Sequence, residues 1–199
     1  HQAIITALPA LPDAPAVTRI ADGAPPGEPM TGLLVGVCTN AKRDRCCAVR
    51  GRPVAAALQQ TFGERVMEIS HLGGHRFAAT MLILPTGYSY GFLDPESAHA
   101  VVAAAHDGLV HPDHLRGRAD LSGPAQVADA FWRAGIGPAP VDDVRIGEVL
   151  SDGDEAIVHA LVQGAPARVL VRRVTGPDIL QTVCGGKPIR TGRWVVQRG

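Results

Sequence analysis

The chain has 199 residues, of which 46% are hydrophobic and 19% charged, a balance that excludes an intrinsically disordered or fibrous protein. A folded chain of this size buries about 70% of its unfolded surface, so it needs no disulfide framework. Lys plus Arg equals Asp plus Glu at 19 each, so no global basic field points to nucleic acid.

Residues 1–30 hold six prolines and little periodic pattern, and they read as a Pro-rich N-terminal lead or domain remnant. Its apolar start, Ile4-Ile5-Thr6-Ala7-Leu8, is broken by Pro9, Pro12 and Pro15 and has no basic residue before it. It does not read as a signal peptide. Leu33-Leu34-Val35-Gly36-Val37 predicts a buried strand ending at Cys38. The polar, basic stretch 39–52 reads as a loop, and Pro53 then suits the first turn of a helix through Phe62, stopped by Gly63. Strands follow at Val66–Ser70, Phe77–Leu84 and Tyr88–Phe92, with a turn at Pro85-Thr86-Gly87. Asp94 and Pro95 open a helix over residues 95–107. The order β-α-β-β-β-α implies an α/β unit over residues 31–110, a mixed sheet with flanking helices.

Residues 111–140 read as a helical connector, with Ser122 capping a helix over Pro124–Arg133. Residues 141–199 read as an antiparallel β-rich region with strands at 144–150, 156–162, 167–174, 180–184 and 193–197. Charge is uneven along the chain: 8 basic and 6 acidic residues in 1–91, 4 and 12 in 92–160, and 7 and 1 in 161–199. No apolar run approaches the roughly 20 residues of a membrane span.

Three of the 4 cysteines, Cys38, Cys46 and Cys47, lie within ten residues. A secreted framework spreads cysteines to close long loops, so this clustering reads as a thiolate site in a reducing compartment, and a cytoplasmic location is expected. Lys42, Arg43, Arg45 and Arg50 surround the cysteines, and His71-Leu72-Gly73-Gly74-His75 follows the next helix and strand. Two thiolates and two imidazoles could hold zinc or an iron–sulfur cluster, with the basic residues lowering the thiol pKa. The glycines, and the absence of a Glu beside His71, argue against a helical zinc-protease motif. Pattern alone also allows a buried core thiol and hydrogen-bonded loop histidines.

The stretch Cys38-Thr39-Asn40-Ala41-Lys42-Arg43-Asp44-Arg45-Cys46-Cys47-Ala48, with Gly51 and Pro53, resembles the sucrase/ferredoxin-like family. So does Ser70-His71-Leu72-Gly73-Gly74-His75-Arg76-Phe77, running on to Leu84-Pro85-Thr86-Gly87 and Tyr90-Gly91. The likeness is dense over residues 33–95 and thin beyond, where Cys184-Gly185-Gly186-Lys187-Pro188 echoes it. It implies a thioredoxin-like [2Fe-2S] ferredoxin domain with a β-rich C-terminal extension. In that family a Cys-x8-Cys pair and a His-x3-His pair hold the cluster, which carries over to Cys38, Cys47, His71 and His75. The Arg43-Asp44 pair places the second ligand at Cys47 and leaves Cys46 spare. The implied role is a one-electron carrier of raised, proton-coupled potential, since two neutral imidazoles leave an oxidised centre uncharged. Gly73 and Gly74 would let the backbone approach the cluster, and Arg43, Arg45, Arg50 and Arg76 would rim it. The implied partner is a redox protein such as a flavoprotein reductase or oxidase.

A structural zinc site on the same four residues is one alternative, although the Cys spacing exceeds that of ordinary zinc fingers. Vicinal thiol redox chemistry at Cys46-Cys47 is another, and lacks the Cys-x-x-Cys spacing. An interaction subunit with a vestigial cluster is the third. No pair of carboxylates stands out as a glycosidase would need. His99, His106, His111 and His114 have spacings that fit no single metal face, and Cys184 reads as a buried thiol or as a neighbour of the cluster. Gly185-Gly186-Lys187-Pro188 is no phosphate loop, and no dinucleotide fingerprint follows a strand. The basic C-terminal region has only Trp194 as an interleaved aromatic, a poor nucleic-acid surface.

Overall fold

Leu34–Cys38 forms β1, an inner strand of a five-stranded mixed sheet. The structure is a computed structural model and describes residues 6–7, 28–29, 31–42, 45–181 and 188–197. Arg43, Asp44, Cys184, Lys187 and most of the Pro-rich lead lie outside the described residues.

Helix α1 (Arg45–Phe62) carries the chain back so that β2 (Val66–Ile69) lies parallel to β1, Val35 opposite Val66. The antiparallel strands β3 (Met81–Leu84), β4 (Tyr88–Tyr90) and β5 (Leu115–Arg118) complete the order β2-β1-β3-β4-β5. Helix α2 (Pro95–His106) starts in a capping box: Ser97 N–H donates to Asp94 Oδ1 at 2.8 Å, and Asp94 N–H donates to Ser97 Oγ at 3.0 Å. Val54 and Leu58 of α1 and Val101 and Val102 of α2 share one core with Val35, Val37, Met81 and Ile83. Burying each such side chain contributes about 1.5–3 kcal/mol. This is the expected α/β arrangement, a mixed sheet with flanking helices, followed by the expected β-rich C-terminal part.

Several elements differ from the sequence reading. Stretch 39–52 is not all loop, because α1 begins at Arg45 and Pro53 lies inside it. Proline removes the hydrogen bond to the Val49 carbonyl. Val49 is 62% exposed and Pro53 is exposed too, so water can serve that carbonyl. On the opposite face Cys47, Ala48, Gly51, Val54, Ala55 and Leu58 are buried in one helical stripe. Strand β3 starts at Met81, because His75–Phe77 is a 3-10 turn. Strand β5 was missed: it is short, charged and Gly-containing, as an edge strand can be.

Helix α3 (Gly123–Ile136) begins at Ser122, whose side chain makes no capping bond. Beyond α3 the described residues form β6 (Val144–Asp152), β7 (Glu155–Val162), β8 (Ala165–Gln181) and β9 (Pro188–Val196), paired in that order. Five strands were expected there. Gly176-Pro177 does not turn the chain but is absorbed as a register shift between Thr175 and Ile179 within β8. Alternation in β7 turns Ala156, Val158 and Ala160 inward, and Val158 and Val171 pack with Ala128 of α3.

Helix α3 touches β5 of the first sheet and all four strands of the second. Asp129 and Arg133 are both 0% exposed and paired, Arg133 Nε donating to Asp129 Oδ1 at 3.1 Å. Tyr88 Oη of β4 donates to the same oxygen at 3.4 Å. Arg133 Nη2 donates to the Val141 carbonyl at 2.7 Å and Nη1 to that of Pro140 at 3.3 Å. Burial outweighs the neighbouring guanidinium and holds the Asp129 carboxyl above the usual carboxylate range. Burial, with the Asp129 charge adding to it, pushes the Tyr88 phenol up to about 12.

Candidate metal centre

Cys38 is the last residue of β1, and Cys47 lies in the first turn of α1. Both are 1% exposed. The strand end and the helix start meet at Gly51, where an added Cβ would collide with the Cys38 carbonyl oxygen. Only glycine allows that approach, and Cys47, one helical turn before it, is thereby set beside Cys38. Cys38 N–H donates to the Thr80 carbonyl at 3.0 Å and Thr39 N–H to that of Ile69 at 3.3 Å, which fixes the strand end between β2 and β3.

The chain after β2 supplies the histidines. Gly73 and Gly74 have φ of 79° and 69°, the left-handed region that glycine occupies without strain. The turn folds His75 over His71, their rings stacked with centroids 6.1 Å apart and planes at 22°. Both histidines are half-buried. The sulfurs of Cys38 and Cys47 and one ring nitrogen of His71 lie within 4.8 Å of one another. His75 does not join these three within that span. The Nδ1 of His71 is buried and has no hydrogen-bond partner, and His75 Nε2 is buried as well.

Cys46 is half-buried and disulfide-bonded, so it does not offer a thiolate beside Cys47. Among the described residues no second group of potential metal ligands gathers. His99 packs its ring on Phe62 at 5.1 Å, His106 pairs with Asp107 at 3.5 Å, and His111 Nδ1 accepts from Asp113 N–H at 3.2 Å. Of the predicted rim, Arg45 and Arg50 are exposed, Arg50 Nη1 donating to the Ala78 carbonyl at 3.3 Å, and Arg76 is half-buried.

Sequence reasoning missed Arg116 of β5, whose Nη1 donates to the Gly73 carbonyl at 3.4 Å. Its signal would have been the strand that carries it. The donor set suits a soft metal group: two buried sulfurs, a buried imidazole nitrogen with no other partner and a second imidazole stacked behind it. Leaving the His71 Nδ1 buried and unsatisfied would cost about 1–3 kcal/mol, a cost that a bound partner at that atom would remove.

An α/β protein whose strand–helix junction gathers two cysteines and a histidine that could hold a metal is the class that fold and site define. Residues 7–117, more than half of the chain, match the model of the sucrase/ferredoxin-like family, and the chain belongs to that family. Among solved structures, a cysteine-to-serine variant of the thioredoxin-like [2Fe-2S] ferredoxin from Aquifex aeolicus is similar at a TM-score of 0.38 and 18% identity, covering 44% of this chain and 100% of that one. No curated protein matches the chain. Among the described residues no helix is long and apolar enough to cross a membrane.

Proposed function

We propose that the protein is a one-electron carrier that holds a [2Fe-2S] cluster on Cys38, Cys47, His71 and His75. The observation that carries this reading is the convergence of two buried thiols on His71 within 4.8 Å, with His71 Nδ1 given no other partner. Around a single zinc, with bonds of about 2.0–2.3 Å, all four ligand atoms would lie within about 4.6 Å of one another. His75 lies outside the three-residue group, so zinc on all four residues would need His75 to move inward.

Each residue has a part. Cys38 and Cys47 supply thiolates from the strand end and the helix N-terminus, and Gly51 sets their spacing. Gly73 and Gly74 aim the imidazoles of His71 and His75. The two thiolate charges balance the 2+ core of an oxidised cluster, where four thiolates would leave a 2− centre that resists an added electron. When bound, such a cluster supplies a one-electron couple at a potential above the roughly −400 mV of plant-type ferredoxins. The ring nitrogens of His71 and His75 that face away from the metal can hold or release a proton, which couples the potential to pH. Arg45 and Arg50 on the outer face of α1 would meet an acidic redox partner, so electron transfer should slow steeply with salt.

The test is iron, acid-labile sulfide and zinc analysis of anaerobically purified protein, with EPR after dithionite. Two irons and two sulfides per chain with a Rieske-like signal support the proposal. One zinc with no sulfide in a colourless protein would turn the same residues into a structural clip, and no metal at all would make the site vestigial. Either result overturns it.

A further inference from the structure

Arg116 reaches from β5 to the loop between the two histidines, its Nη1 donating to the Gly73 carbonyl at 3.4 Å. Two glycines leave room for it. A Cβ on Gly74 would stand 2.7 Å from Arg116 Nη2, and one on Gly91 2.7 Å from Arg116 Cδ. The Arg116 guanidinium lies 4.6 Å from the Phe77 ring centroid and that of Arg76 lies 4.4 Å from it. Two cations thus share one aromatic ring immediately after His75.

Neither cation has a carboxylate partner among the described residues. Arg76 Nε is buried without a hydrogen-bond partner. Burial, and then the Arg76 charge, depress the Arg116 pKa. In the protein alone this arrangement is unfavourable, through desolvation, like-charge repulsion and an unmet donor. Negative charge gained beside the loop would relieve it.

We propose that Arg116 and Arg76 serve the metal centre without ligating it: Arg116 fixes the loop that carries His71 and His75, and the two guanidiniums favour the reduced, more negative state. This rests on the cluster reading above. The alternative for these residues is a structural brace with no electrostatic link to the centre.

The test uses the full chain with R116Q, R116K and R76Q. Redox titration followed by visible absorption and EPR should give lower potentials for R116Q and R76Q than for wild type, with R116K, which keeps the charge, close to wild type. In metal-free protein, amide exchange at Gly73–His75 should be roughly tenfold faster in R116Q than in wild type through loss of the charge-assisted bond, and unchanged in R76Q. Wild-type potentials in both glutamine variants would overturn the electrostatic role, and unchanged loop exchange in R116Q the positioning role. Should R116Q not fold, R76Q and R116K still decide the two points, because R116K lacks the planar fork that spans Gly73 and Phe77. A wild-type protein with no iron and sulfide is a different result, which removes the cluster reading itself.

Discussion

Replacing Gly51 by alanine tests the close approach that builds the centre. The added Cβ would overlap the Cys38 carbonyl oxygen and stand 3.2 Å from its carbon. Both atoms are backbone, held by the 3.0 Å bond from Cys38 N–H to Thr80 and by the pairing of Cys38 with Ile69. No flexible side chain can swing aside, so α1 must back away by about 1 Å, an overpacking that costs about 1–3 kcal/mol. The better helix propensity of alanine returns about 1 kcal/mol. The net loss is up to about 2 kcal/mol, or about 4–8 °C in melting temperature for a chain of this size. The larger effect falls on the site, because Cys47 moves with α1 while Cys38 stays with the sheet. Iron and sulfide content should fall well below wild type, more than the stability loss alone would produce. Melting followed by circular dichroism, beside metal analysis of the same samples, checks both. A G51A protein with wild-type melting and full cluster content would refute the argument.

Three further predictions follow from particular contacts. Cys46→Ser should leave the visible spectrum of the cluster intact and Cys47→Ser should abolish or shift it, whereas the reverse pattern would move the ligand to Cys46. Arg133→Met strands the buried Asp129 charge and should cost about 3–5 kcal/mol in urea unfolding, most of it recovered by adding Asp129→Leu. If the double variant were no more stable than R133M, the loss would come from packing and not from the stranded charge. Burial pushes the Tyr88 phenol from the ordinary 10.0 up to about 12. The neutral phenol's contribution is whole below pH about 10 and is lost as pH rises through about 12, a loss of about 2–3 kcal/mol from this residue. Denaturant unfolding across that range, with tyrosinate difference absorbance, reads it. Ionisation of both tyrosines near pH 10 without unfolding would contradict the burial.

Strand β1 and helix α2 were legible in the sequence because each carries an unambiguous local signal. The apolar run at Leu34–Cys38 fits a strand lying between two others, and Asp94-Pro95 spells a helix start. The first turns of α1 were hidden by Pro53, which propensity places at a helix start and which an exposed face tolerates further in. Strand β5 and the continuity of β8 depend on partners distant in the chain, which local pattern does not record. At the site, spacing and resemblance singled out Cys38, Cys47, His71 and His75, and three of these come together within 4.8 Å. Arg116 was invisible because its contact with Gly73 exists only once β5 lies on the sheet edge.

The family match ends at residue 117, just before α3. A protein cut there would keep every residue of the proposed centre. It would also lose Asp129, leaving the buried Tyr88 hydroxyl without the acceptor it now meets at 3.4 Å. A cut after α3 would fare little better, since Ala128 and Trp132 would then face water instead of Val158 and Val171. Helix α3 thus buries one side on the sheet that carries the cysteines and the other on the C-terminal sheet, so the contacts that close the first sheet reach well past the stretch that resemblance marks out.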